Sequence, residues 1–160
     1  MFTQQSMLEQ LLKLDNIQAI KESTRDLTNV TRMINRFGDE IKILCGVDTL
    51  AMEAMIMGAH GWVAGLVAAF PHETVAVYQL IQEGKIKQAR ELFRWFLPLL
   101  ELDINSKLVQ NIKLAEVATG LGTEYVRPPR LPLAGEERES VQNIIDTALA
   151  SRPDLSATTF

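Results

Sequence analysis

The sequence predicts an α/β fold: three strand–helix units sharing one parallel sheet, followed by a helical tail. Three observations carry this. Up to residue 70, short apolar runs alternate with amphipathic stretches, the pattern of parallel strands joined by crossover helices. After Pro71 the apolar residues recur almost throughout at helical spacing. Glycines at 38, 58, 84 and 120 stand where helices should stop.

The elements follow in order. "SMLEQLLKL" places Met7, Leu8, Leu11, Leu12 and Leu14 at helical spacing within residues 1–14, and Asn16 closes that helix. Residues 17–21 are a short strand. A helix then carries Leu27, Val30, Met33, Ile34 and Phe37 as its apolar stripe, with Asp26 or Thr24 as its cap. "IKILCG" is a second strand, "DTLAMEAMIMG" a short helix with Asp48 as cap candidate, and "GWVAGLV" a third strand. In the tail, Pro71 suits the first turn of "PHETVAVYQLIQEG". "KIKQARELFRWFLPLLEL" should kink or end at Pro98. "NSKLVQNIKLAEVATGLG" is a further helix, "TEYVRPPRLPL" an extended connection, and "GEERESVQNIIDTALAS" the last helix. The expected division is residues 1–70 for the strand–helix units, 71–150 for the helical part and 151–160 for a flexible tail.

Composition narrows the function classes. The 160 residues are 47% hydrophobic and 22% charged, enough for a real core and too apolar for disorder. Net charge is −4 with both signs interspersed, so no basic stripe points to nucleic acid. No apolar run approaches the ~20 residues of a membrane helix. No leader peptide is apparent, and the one cysteine, Cys45, forms no internal disulfide. These features predict a cytoplasmic protein with no membrane or nucleic-acid partner.

The residue that asks for an explanation is Lys21, in "NIQAIKESTRD". A lysine ending an apolar strand is either a solvated strand end or a working amine. Ile17, Ala19 and Lys21 share one strand face. The C-terminal ends of parallel barrel strands are where chemistry sits. There a free amine can attack a ketone and form a Schiff base, whose iminium withdraws electrons from the neighbouring carbon.

The ordered series "IQAIKESTRD", "KILCGVD", "MGAHGWVAGLVAAFP", "KQARELFRWFLPLLEL" and "IKLAEVATGLGTEYVRPPRLPL" resembles the dihydrodipicolinate synthase / N-acetylneuraminate lyase family over about residues 7–149. The resemblance implies a (β/α)₈ TIM barrel with C-terminal helices, assembled as a homo-oligomer, with Lys21 as the Schiff-base lysine and no cofactor. A complete barrel takes about 250 residues. The match is therefore to the last three strand–helix units and the helical extension, a partial barrel. The first five strands, the glycine–threonine-rich carboxylate loop and the proton-relaying tyrosine of the family have no counterpart here, and Tyr78 and Tyr125 do not replace that tyrosine. The wording is most similar to the sugar-acid dehydratase branch, which turns the 2-oxo acid L-2-keto-3-deoxyarabonate into 2-oxoglutarate semialdehyde. A pyrroline-4-hydroxy-2-carboxylate deaminase and a dihydrodipicolinate synthase-like aldolase are the alternatives within the family. An inactive fragment or assembly module, awaiting the N-terminal half of a barrel, is the alternative of another class.

The resemblance also implies a substrate-binding set of Ser23, Gly46, Val47, Asp48 and Val63 around Lys21. Each has a plain structural counterpart. Ser23 and Thr24 suit helix capping as well as substrate hydrogen bonding, and Asp48 suits capping as well as contact with the distal end of the substrate. Val47 stands where the family often has a second polar residue, which argues against an acidic or amino-bearing substrate. Val63 would pack near the imine and Gly65 would leave room beside it, though core packing explains both. Cys45, without a histidine nearby in sequence, reads as a buried thiol. His60 and His72 lack metal-ligand spacing, so no metal is expected. Trp95, Phe93, Phe96 and Leu99 read as helix packing, and Arg127 as a structural tie, a subunit contact or a carboxylate binder.

Overall fold

The computed structural model describes residues 2–155, with side chains from residue 7 onward. It divides into two compact units, residues 1–63 and 64–160.

The first unit holds helix α1 (Phe2–Leu11), strand β1 (Ala19–Glu22), helix α2 (Thr28–Phe37), strand β2 (Lys42–Cys45), helix α3 (Ala51–Ile56) and strand β3 (Gly61–Trp62). The three strands pair in parallel in the order β1–β2–β3. Each connection is a helix crossover, as the alternation of the sequence requires. The register sets Lys21 beside Leu44 and Leu44 beside Gly61. Strand alternation then puts Ala19, Lys21, Leu44 and Gly61 on one face, and Ile20, Glu22, Ile43, Cys45 and Trp62 on the other.

α2 begins because Asp26 offers its carboxylate to the Thr28 backbone N–H at 3.0 Å. It buries Val30, Met33 and Phe37 from one stripe and ends at Gly38, whose φ of 54° favours glycine. α3 follows a 3₁₀ turn at Asp48–Leu50 and buries Ala51, Met52, Ala54 and Met55. His60 closes the start of β3 twice: its N–H donates to the Ile43 carbonyl at 2.7 Å, and its Nδ1 accepts the Ile43 N–H at 3.0 Å. That imidazole is structural, as its place in "GAHG" suggested.

One expectation changes here, and one helix face stays open. The third strand is two residues long rather than spanning "GWVAGLV". Gly65 takes helical backbone angles and starts a 3₁₀ turn at Leu66–Ala68, so pairing stops once Val63 has donated to the Cys45 carbonyl. The apolar residues of α1 do not form a closed core: Met7 and Leu11 are 61% and 41% exposed. Among the described residues no strand pairs with the outer edge of β1. An open groove of about 1020 Å³ lies there instead, lined among others by Met7, Leu11, Lys21, Asn29, Met33 and Arg36.

The second unit is helical. It contains α4 (Pro71–Gln82), α5 (Ile86–Leu100), α6 (Leu108–Ala118) and α7 (Gly135–Ala150). α4 packs on α5, and α5 and α6 both pack on α7. Phe70, Phe96, Leu99, Leu100, Leu114 and Ile145 are fully buried, and each such side chain contributes about 1.5–3 kcal/mol of transfer free energy. Phe70 meets Trp95 and Phe96 edge-on at 6.2 and 5.8 Å. α5 does not end at Pro98 but continues to Leu100. The ring is exposed, and the missing N–H costs only the hydrogen bond that the Arg94 carbonyl would have received. The tail is also tied down at its start. Arg152 donates to the buried Glu73 at 2.5 Å, while residues 156–160 lie outside the described part. No helix among the described residues is long and apolar enough to cross a membrane.

Candidate active site

Lys21 is the last but one residue of β1 and is exposed on its sheet face. Among the described residues its amine enters no hydrogen bond or ion pair. Beside it, the backbone of Gly46 is drawn against β1 by its N–H, which donates to the Glu22 carbonyl at 2.7 Å. A Cβ on Gly46 would lie 2.2 Å from Ser23 Oγ and 2.6 Å from both Cγ and Cε of Lys21. The lysine stem and the serine hydroxyl therefore converge on the bare backbone of Gly46. Only glycine leaves room for that approach. The Ser23 hydroxyl, like the amine, has no hydrogen-bond partner among the described residues.

Glu22 points to the opposite face and is 8% exposed. Its carboxylate accepts the Thr24 backbone N–H and the Asn29 side-chain N–H, each at 2.6 Å. Among the described residues no ion pair offsets it; two directed hydrogen bonds do. The turn from β1 into α2 is thus closed from beneath by a buried carboxylate.

The other predicted residues divide. Val47 is half-buried in extended backbone after Gly46. Val63 is 40% exposed, on the Lys21 face by alternation from Gly61. Asp48 is wholly buried, and its carboxylate accepts the Trp62 indole N–H at 3.0 Å, tying the loop after β2 to β3. Cys45 is buried, its Sγ donates to the Val47 carbonyl at 3.4 Å, and burial pushes its thiol pKa up. That suppresses the thiolate and makes it a packing residue. Arg127 is exposed in the connection that carries the cis Pro128–Pro129 peptide. In the second unit, the space above Gly65 is filled by the Asp103 carboxylate, with Oδ1 2.1 Å from where a Cβ would sit.

The site is thus a parallel sheet whose first strand carries, near its end, an uncommitted lysine over a glycine. Residues 3–148 match the profile of the Dihydrodipicolinate synthetase family. The chain belongs to that family. It is 26% identical over 143 residues to a 4-hydroxy-tetrahydrodipicolinate synthase of Archaeoglobus fulgidus, covering 89% of this chain and 50% of the relative. It is 32% identical over 123 residues to one from Geotalea uraniireducens, covering 74% and 41%. Among solved structures, the 4-hydroxy-tetrahydrodipicolinate synthase of Methylacidiphilum fumariolicum superposes with a TM-score of 0.77 at 28% identity, covering 91% of this chain and 50% of that one. The chain spans about half the length of the curated relatives it matches. Its fold is accordingly a partial TIM barrel with a C-terminal helical extension.

Sequence reasoning missed two of these features. Glu22 had a signal: a charged residue on the strand face that otherwise carries Ile20, seven residues before Asn29. The Asp48–Trp62 contact had none, because it is made only when β2 and β3 pair.

Proposed function

We propose that this chain carries the Schiff-base half of a 2-oxo acid lyase, with Lys21 as nucleophile. The observation that supports this best is the convergence of the Lys21 stem and the Ser23 hydroxyl on Gly46, with neither head group engaged by any other described residue. The unprotonated amine adds to the 2-oxo carbon, and loss of water gives an iminium. The iminium acidifies C3, whose proton passes to water or to a base outside this chain. The resulting enamine expels the C4 hydroxyl as a second water. Tautomerisation gives the product, and hydrolysis returns Lys21. The electron-withdrawing group is the imine itself, so the sequence needs no metal or organic cofactor.

In this reading Ser23 hydrogen-bonds the substrate beside the imine. Gly46 provides the clearance, and Val47 and Val63 give the site an apolar wall. Asp48 acts through Trp62, holding the loop that bears Gly46 and Val47. The apolar Val47 favours an uncharged hydroxylated chain beyond C4, as in a 2-keto-3-deoxy sugar acid such as L-2-keto-3-deoxyarabonate. The names of the relatives favour a second reading, in which the enamine attacks an aldehyde to make a carbon–carbon bond. Both readings use the same lysine. The unpaired edge of β1 and the groove beside it suit the strands that complete the barrel, whether from the same polypeptide or another subunit of a cytoplasmic oligomer.

The test is to incubate the chain with pyruvate, reduce with borohydride and map the adduct by mass spectrometry. One pyruvyl adduct on Lys21, absent from Lys21→Ala, is expected. An unmodified Lys21 in a folded chain overturns the reading.

A further inference from the structure

We infer that Glu22 is a positioning residue for Lys21: its buried carboxylate fixes the strand end and the turn that place the amine and the Ser23 hydroxyl together over Gly46. The inference rests on the reading of Lys21 as the imine-forming nucleophile.

A carboxylate that is 8% exposed and forms no ion pair among the described residues is expensive unless its oxygens are filled by directed donors. An apolar residue at position 22 would match Ile20 and Ile43 on the same face without that cost. The carboxylate does what an apolar side chain cannot. Oε1 takes the N–H of Thr24 and Oε2 takes the side-chain N–H of Asn29, each at 2.6 Å. Thr24 lies in the turn between β1 and α2, and Asn29 is the second residue of α2. One side chain therefore spans the strand, the turn and the helix.

The consequence falls on Ser23, which sits between two fixed neighbours. Glu22 is held in the ladder, its carbonyl accepting the Gly46 N–H at 2.7 Å. Thr24 is held by the Glu22 side chain. With both ends fixed, the Ser23 hydroxyl lies where a Gly46 Cβ would be 2.2 Å away, next to the lysine stem. Without the Thr24 bond, the turn can swing away from Gly46 while the strand and α2, which has its own cap at Asp26, persist. The effect on Lys21 is therefore separable from loss of fold. Glu22 touches neither substrate nor the reacting atoms and acts only through the residues it holds.

The experiment compares reductive amination of individual lysines in the full chain, using pyruvate and cyanoborohydride. Any exposed lysine reacts slowly with this pair, so the ratio of adduct on Lys21 to adduct on the exposed Lys42 is always measurable. In the unaltered chain the ratio is expected well above one. Glu22→Ala should lower it roughly tenfold, the scale of a sub-ångström to ångström misplacement of a reacting group. Glu22→Gln should stay within about threefold of the unaltered chain, because an amide oxygen still accepts the Thr24 N–H and the Asn29 amide can turn to present its own oxygen. Recovery by the uncharged isostere is the readout that a general loss of stability would not give. Asn29→Ala, which removes one of the two donors, should fall between them and covers the case in which Glu22→Ala does not fold.

A high ratio that is unchanged in folded Glu22→Ala, or an equal loss in the Gln and Ala variants, overturns the positioning role and leaves the nucleophile reading standing. A ratio near one in the unaltered chain overturns the nucleophile reading, and the positioning role with it.

Discussion

Replacing Gly46 by alanine adds one methyl group at the point where Lys21 and Ser23 meet. Gly46 is not among the glycines with positive φ, so its backbone accepts an alanine and the whole effect is collision. The new carbon would lie 2.2 Å from Ser23 Oγ and 2.6 Å from Lys21 Cγ and Cε. Carbon contacts relax to about 3.5–4.0 Å, so the lysine stem must give way by roughly 1 Å and the serine by somewhat more. Gly46 cannot retreat, because its N–H is bonded to the Glu22 carbonyl. The stem is on an exposed face and can rotate outward, so the stability cost should fall at the low end of the 1–3 kcal/mol typical of overpacking, about 1 kcal/mol. The chemistry has no such freedom. A 1 Å misplacement of a reacting group costs up to about a hundredfold in rate. Gly46→Ala is therefore expected to slow imine trapping on Lys21 by about 10- to 100-fold while thermal unfolding moves by only a few degrees. Trapping at the original rate in a folded Gly46→Ala chain would refute the convergence of Lys21 and Ser23 on Gly46.

Other outcomes follow from the same structure. Arg152→Ala leaves the 1%-exposed Glu73 with neither oxygen hydrogen-bonded, Oε2 having no partner already, and should cost on the order of 3 kcal/mol, read by urea unfolding. Cys45 should resist iodoacetamide at neutral pH in the native chain and react promptly in denaturant, since burial raises its pKa and shields it. The Arg138 guanidinium holds the Glu124 carboxyl below its ordinary range. Because that folded-state value is lowered, the pair contributes above the ordinary glutamate range, and the contribution is lost as pH falls through the depressed value. Both groups are largely exposed and screened by solvent, so Arg138→Ala should lower stability only slightly at pH 7, with the difference from the unaltered chain shrinking in an acid unfolding series as pH falls below the ordinary glutamate range.

Much of the fold was legible because its signals are local. Gly38, Gly84 and Gly120 end their helices with positive φ, Asp26 caps α2, and Pro71 opens α4. The departures are all tertiary. "GWVAGLV" has the composition of a strand, but among the described residues only β2 pairs with it, and Gly65 takes helical angles soon after Val63. Pro98 stays within α5 because the one face that carries Phe96, Leu99 and Leu100 is fully buried on both sides of it in sequence, while the proline itself points outward. The stripe of Met7 and Leu11 was legible as a helix face, yet its exposure depends on the unpaired edge of β1, which no window of sequence shows. The same holds for the site. Lys21 announced itself as a charge ending an apolar strand. Glu22 shows in the sequence only as a charge on the strand face of Ile20, and its bonds to Thr24 and Asn29 come with the packing of α2 on the strand.

The central claim, that Lys21 forms the imine and the imine drives loss of the C4 hydroxyl, is tested most directly by one mass. The chain, completed by the remaining barrel strands, is incubated with L-2-keto-3-deoxyarabonate, quenched with borohydride and digested. The expected product is a single adduct on the Lys21 peptide, lighter than the reduced imine of the intact sugar acid by one water where the dehydrated iminium is trapped before tautomerisation, and by one oxygen where borohydride has also reduced the aldehyde formed after it. An adduct on Lys21 that retains that water would contradict the dehydration, and an adduct absent from Lys21 in the folded protein would contradict the imine.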